Sequence, residues 1–176
     1  MDIERSQAMI TSGDLRELAA GSRGRLFQHF GAGEGRKWLH LYDIKSPLAV
    51  ALCQGSAMHF YDSVNGVKDF DIWFFYPFNE RHLPYRTIWT WDYRNPKFGR
   101  HPSIAGYSGR KVDVIVRSIR NYELGNPVQT IYKFLENERT ESSKLLALKA
   151  VVLLEPSTHF SQVIWYKGRL GIVEYR

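Results

Sequence analysis

A chain of 176 residues, 44% apolar and 24% charged, has enough apolar content for one folded core, which excludes a disordered chain. No apolar run reaches the length of a membrane span, and the single cysteine, Cys53, excludes an intrachain disulfide. The net charge of +6 is concentrated: residues 81–120 hold nine Lys and Arg against Asp92 and Asp113, and the rest is close to balance, which suggests an anionic partner for that segment.

The opening run "MDIERSQAMITSGDLREL" carries acids and no apolar leader core, so a cytoplasmic location is expected, and the lone thiol fits a reducing compartment. "TSGDLRELAAGSRGRLFQHFG" has partly helical spacing, with Ser12 as its cap and a possible break at Gly21 and Gly24. "GAGEGRKW" reads as a loop; no strand feeds it and no Gly-Lys-Ser/Thr closes it, which argues against a phosphate-binding loop. "PLAVALCQ" has strand length and contains Cys53, which reads as a small core residue. Gly55-Ser56 ends that strand, and "SAMHFYDSV" makes a short helix in which His59 reads as a packing residue.

"VNGV" supplies a turn, and "KDFDIWFFY" is a second strand stopped by Pro77. A long connection, 78–109, contains the short strand "TIWTW". Its Trp89, Trp91 and Tyr93 alternate; a half-buried strand face is the commoner explanation, base stacking the sharper one. His82 and His101 have no paired spacing for zinc. "RKVDVIVRSI" is the next strand, with Val112, Val114 and Val116 on one face and Lys111, Asp113 and Ile115 on the other. "NPVQTIYKFLENE" and "TESSKLLALKAVVLLE" read as helices, the second capped by Thr140 and ended by Pro156. "THFSQVIWYKGRLGIVEYR" is either a helix and a strand or a hairpin turning at Lys167-Gly168.

Asp69 and Asp71 alternate on a strand and so project together. Paired carboxylates repel one another, and a divalent cation reverses that cost, because Mg²⁺ takes hard oxygen ligands. Asp113, on a separate apolar strand, is the candidate third ligand. Lys68 adjoins the pair and is placed to meet a phosphate, although a solvated lysine is the usual case.

An apolar strand, Gly-Ser at a turn into a helix, Asp-x-Asp on the next strand and a third Asp on a later strand occur here in order, as "LCQGSAMHF", "KDFDIWFF" and "KVDVIV". This arrangement resembles the nucleotidyltransferase superfamily, which includes DNA polymerase beta, poly(A) polymerases, CCA-adding enzymes and small antibiotic nucleotidyltransferases. The spelling "QGSA…NGVKDFDIW…KFGRHP…GRKVDVI" is also similar to uncharacterised bacterial members. The resemblance implies that Gly55 and Ser56 meet the nucleotide phosphates and that Asp69, Asp71 and Asp113 are the catalytic acids and hold two Mg²⁺ ions, with Mn²⁺ as a substitute. Asp113 would also help activate the acceptor hydroxyl, and Lys111 or Arg100 would add positive charge near the triphosphate. Two features depart from the pattern: "AMHFYD" follows the Gly-Ser, and 42 positions separate Asp71 from Asp113.

The implied fold is a single α+β domain: a nucleotidyltransferase-like mixed sheet, core about 48–118, with helices packed on one face, a helical N-terminal segment and a C-terminal helical extension. The implied activity is metal-dependent transfer of a nucleoside monophosphate from NTP to an acceptor hydroxyl on RNA, a protein or a small molecule. No membrane partner is expected. The alternative from another class is a non-catalytic nucleotide- or RNA-binding module of the same fold, one half of a toxin–antitoxin pair. A glycosyltransferase with Asp-x-Asp fits less well, because Gly-Ser and Asp113 have no place in it.

Overall fold

A computed structural model describes residues 4–31, 43–78, 86–137 and 139–173. In chain order its elements are α1 (Ser12–Gly31), β1 (Ala49–Cys53), α2 (Gln54–Asp62), β2 (Phe70–Pro77), β3 (Arg86–Tyr93), β4 (Arg110–Ile119), α3 (Pro127–Asn137), α4 (Glu141–Ala147), β5 (Ala150–Glu155), β6 (Val163–Tyr166) and β7 (Arg169–Val173). The strands form one mixed sheet in the order β3-β4-β2-β1-β5-β6-β7. Among the described strands β2 and β4 run parallel and the other pairs are antiparallel.

The α+β class and the mixed sheet agree with the sequence reading, but helices cover both faces of the sheet rather than one. On the first face Leu15, Leu18, Leu26 and Phe30 of α1 and Ala57 of α2 pack on Val50, Leu52, Phe70, Ile72, Phe74, Val112 and Val114. On the second, Ile131, Phe134 and Leu135 of α3 and Leu146 of α4 pack on Ala51, Cys53, Trp73, Phe75, Ile115 and Val151. Both faces of β2 are therefore buried, which is why "FDIWFFY" is almost continuously apolar instead of alternating. Each fully buried Phe in these layers contributes roughly 2 kcal/mol.

α1 is one unbroken helix. Its start is set by Thr11 rather than Ser12: the Thr11 amide and hydroxyl donate to Asp14 Oδ2 at 2.6 and 2.7 Å, and the Asp14 amide donates back to Thr11 Oγ1 at 3.3 Å. Gly21 sits inside α1 because Trp91 lies against it; a Cβ there would come within 2.6 Å of the indole. The indole Nε1 donates to Ser22 Oγ, Tyr93 OH donates to Glu17 Oε2, and Trp89 packs against His29 and Phe30. The alternating aromatics are thus a packing face. The glycine-rich stretch at 32–38 and His82 lie outside the described residues.

The C-terminal extension is helical only in part: α3 and α4 are present, and the strands β5, β6 and β7 follow them. The helix expected over 140–155 stops at Ala147, although Thr140 caps it as expected, accepting from the Ser143 amide at 3.1 Å. An apolar run such as "LLALKAVVLLE" fits a buried helix or a buried strand equally by periodicity. The paired β-branched Val151 and Val152 and a place between β1 and β6 decide for β5. The C-terminal segment resolves as the β6–β7 hairpin, turning on Lys167 (φ 48°) and Gly168 (φ 82°), both left-handed as a two-residue turn of this hand requires. No helix among the described residues is long and apolar enough to cross a membrane.

Candidate functional site

The register of the sheet brings the predicted acids to one end of it. Asp71 of β2 and Asp113 of β4 are direct partners on parallel strands, and Asp71 is also the antiparallel partner of Cys53, the last residue of β1. α2 begins at the next residue, so Gly55 and Ser56 start a helix beside Asp71. Asp69 precedes the paired Phe70 and Val112 and is therefore level with Lys111. The row continues to Thr90, the partner of Asp113 on β3, whose hydroxyl is 3.0 Å from Tyr107 OH.

Lys111 ties the acids together. Its Nζ lies 2.7 Å from Asp113 Oδ2 and 3.5 Å from Asp69 Oδ2. Burial works against the charge on Lys111, yet its hydrogen bond to Asp113 and the charges of Asp113, Asp69 and Asp71 hold its pKa above the ordinary lysine value. Asp71 is the buried member, 8% exposed. Burial first, then the charges of Asp69 and Asp113, push its pKa up to about 8, against the pull of Lys111 and Lys149. Gln54 Nε2 donates to Asp71 Oδ1 at 2.9 Å, and Lys149 Nζ donates to Gln54 Oε1 at 3.3 Å.

The flanking residues divide into groups that face this cluster and groups that do not. Cys53 is fully buried, and burial, then Asp71, push its thiol up, which makes it the core residue it was read as. His101 is buried beside the cluster; burial lowers its pKa while Asp69 works in the opposite sense. Its Nδ1 accepts from the Ser103 amide, which places the ring proton on Nε2. His59, in contrast, is a structural latch: Nδ1 accepts from the Gly66 amide at 3.0 Å, and Nε2 donates to the Ala8 carbonyl at 3.1 Å.

Of the proposed phosphate-binding residues, the structure places Gly55 and Ser56 at the site. A Cβ on Gly55 would meet nothing within 4 Å, so space is open above the first turn of α2. Cys53, the N-cap, gives no side-chain acceptor to that turn, which leaves its amides as donors. The Ser56 hydroxyl is not offered to the site; it donates to the Cys53 carbonyl at 3.3 Å and is buried. Lys68 is half-buried, and its carbonyl accepts from Arg110. Arg100 is exposed in the loop next to His101.

Several cations of the basic segment have partners within the chain, two of them, Arg110 and Arg117, buried. Arg110 is buried and donates to the carbonyls of Phe98 and Glu4, Lys97 pairs with Asp14, and Arg94 pairs with Asp92. Arg117 and Arg120 lie over the rings of Phe134 and Phe78. The charge excess is therefore weaker evidence for an anionic partner than its count suggested. A cleft of about 670 Å³ lies elsewhere, between α1 and β5, lined by Arg16, Arg23, Leu154 and Phe160; its Arg23 is ion-paired with Glu155, and it contains none of the acids.

The donor set fits a hard divalent cation in chemistry: three carboxylates, one of them strained by the other two. It is not closed into a ligand cage. Among the described residues no group of three or more His, Cys, Asp or Glu is arranged to hold a metal as it stands. The Lys111 ammonium supplies the charge that a cation would bring. Sequence reasoning missed Gln54, Lys149 and His101. Gln54 adjoins the Gly-Ser and was open to notice; Lys149 was hidden in a run read as helix, and His101 is brought in only by the loop 99–109.

No family model, curated protein or solved structure matches the chain.

Proposed function

We propose that the chain is a divalent-metal-dependent nucleotidyltransferase, moving a nucleoside monophosphate from NTP to an acceptor hydroxyl. The observation that carries this reading is the side-by-side placement of Asp71 and Asp113, with Asp69 on the same ammonium, at the open N-terminus of α2. Asp69, Asp71 and Asp113 would hold the metal, magnesium by preference, which when bound neutralises phosphate charge and stabilises the attacking and leaving oxygens of an in-line displacement.

The chain's own groups do the rest. The first-turn amides of α2, at Gly55 and Ser56, offer donors and the positive end of a helix to a triphosphate. Asp113, the outermost acid of the row towards β3, is placed to accept the acceptor's proton. Lys111 and Lys149 oppose the rise in the Asp71 pKa that burial and the other two acids cause. The acceptor, whether RNA, a protein or a small molecule, is not specified by these groups.

The test is Asp69→Asn. This variant should lose pyrophosphate release from NTP in the presence of Mg²⁺ while keeping its circular-dichroism spectrum. Turnover equal to that of the parent chain would sink the assignment.

A further inference from the structure

The cluster holds one charge that the transfer reaction does not require at that spot. Lys111 is 22% exposed, and its ammonium is within 3.5 Å of two different acids. Both of those acids, Asp69 and Asp113, are needed by a metal under the function proposed above. An ammonium and a hard cation seek the same carboxylate oxygens, and the two cannot share them at contact distance. A metal that takes Asp69 Oδ2 and Asp113 Oδ2, the oxygens the ammonium faces, therefore expels the Lys111 head from between them.

The released ammonium has somewhere to go. Lysine carries its charge on a flexible four-carbon stem and presents donors in any direction. β4 lies two strands from β1, whose end α2 follows, so a triphosphate at the start of α2 would lie at the same end of the sheet as the released ammonium. Expulsion costs an ion pair when metal binds alone. It is offset when an anion arrives with the metal.

We propose that Lys111 is an internal counter-cation that the metal must displace, so that metal alone binds weakly and metal and triphosphate bind cooperatively. This inference rests on the nucleotidyltransferase reading. By reciprocity, the triphosphate also binds more tightly once metal is present. In the absence of metal the ammonium keeps the acids from repelling one another, so the same residue stabilises the empty fold.

The experiment is Mn²⁺ binding by the full chain, followed by the paramagnetic resonance of free Mn²⁺, with and without a non-hydrolysable nucleoside triphosphate analogue. Lys111→Met should bind Mn²⁺ alone about tenfold more tightly than the parent, roughly what one partly shielded ion pair does to an equilibrium. It should also lose the gain in Mn²⁺ affinity that the analogue gives the parent, and unfold at a lower temperature without metal. Lys111→Arg guards against misfolding of the Met variant: it keeps the charge, grips two carboxylates more firmly and should bind Mn²⁺ alone more weakly than the parent. If the parent binds Mn²⁺ and Lys111→Met binds it no more tightly, the displacement proposal fails and the metal site stands. If no form binds Mn²⁺ with or without the analogue, both fail.

Discussion

Gln54 donates its side-chain amide to Asp71 Oδ1 across 2.9 Å from a backbone held at φ 64°. The left-handed region is uncommon for a residue with a Cβ, and holding one there costs on the order of 1 kcal/mol or more. The strained residue is the first of α2, directly after β1, where it aims its amide at the buried acid and its oxygen at Lys149. Removing the amide should hurt most when Asp71 is charged. Gln54→Met should lower unfolding free energy by about 1.5–3 kcal/mol above pH 8 and by less at pH 5, where the carboxyl is neutral. Urea unfolding at the two pH values checks this. An equal loss at both would mean that the bond does not sense the charge.

Asp71 itself makes stability depend on pH in an uncommon sense. Its folded pKa, about 8, is raised above the usual 3.8 by burial, then by Asp69 and Asp113. Between those values the folded state holds a proton that the unfolded state has released, so stability falls as pH rises through this window and the loss is complete above about 8. A shift of this size is worth on the order of a few kcal/mol. Asp71→Asn should remove the slope: its melting temperature should stay nearly level from pH 5 to 9, and it should exceed the parent's at pH 9. A parent chain whose melting temperature rises steadily across that range would contradict the assignment.

Two glycines of α1 should respond in opposite directions to one change. At Gly24 a Cβ would meet nothing within 4 Å, so Gly24→Ala should stabilise by about 0.5–1 kcal/mol through helix propensity. At Gly21 the Cβ would press into the Trp91 ring at 2.6 Å, and the indole is pinned by its bond to Ser22. Gly21→Ala should therefore lose about 1–3 kcal/mol to overpacking, more than propensity returns. Thermal melts of both variants, with indole fluorescence reporting on Trp91, test the pair. Stabilisation by both would show that β3 shifts away from α1 without cost.

The legible part of this fold was the part built on short apolar runs bounded by turn signals. The strands carrying Asp71 and Asp113 announced themselves through β-branched and aromatic residues with turn signals beside them, and the resemblance carried by the order Gly55-Ser56, Asp69-x-Asp71, Asp113 implied that the acids meet. The run 150–155 was misread because a strand buried on both faces has no period to distinguish it from a buried helix. Helices on both faces followed from that same double burial of β2. Lys149 went unseen because its approach to Gln54 depends on β5 lying beside β1. The Lys111 bridge needed the parallel register of β2 and β4, which no stretch of either strand specifies alone.

The sequence pattern pointed to Gly55 and Ser56 together, but the geometry separates their roles. Ser56 Oγ is buried and donates to the Cys53 carbonyl, the acceptor that also closes the first turn of α2. Its loss leaves that carbonyl with a helical partner, so Ser56→Ala should cost no more than about 1 kcal/mol. If the backbone amides are the groups that meet a triphosphate, the variant should also keep its affinity for one within about twofold, well inside the tenfold that 1.4 kcal/mol represents. Gly55 is the sensitive position, because its open side is the space the phosphates would enter. Gly55→Val should fold, since a Cβ meets no obstacle there, yet its branched side chain should exclude the ligand and weaken binding at least tenfold. Titration of a fluorescent nucleoside triphosphate into both variants distinguishes them. Binding lost in Ser56→Ala and retained in Gly55→Val would place the ligand away from the N-terminus of α2.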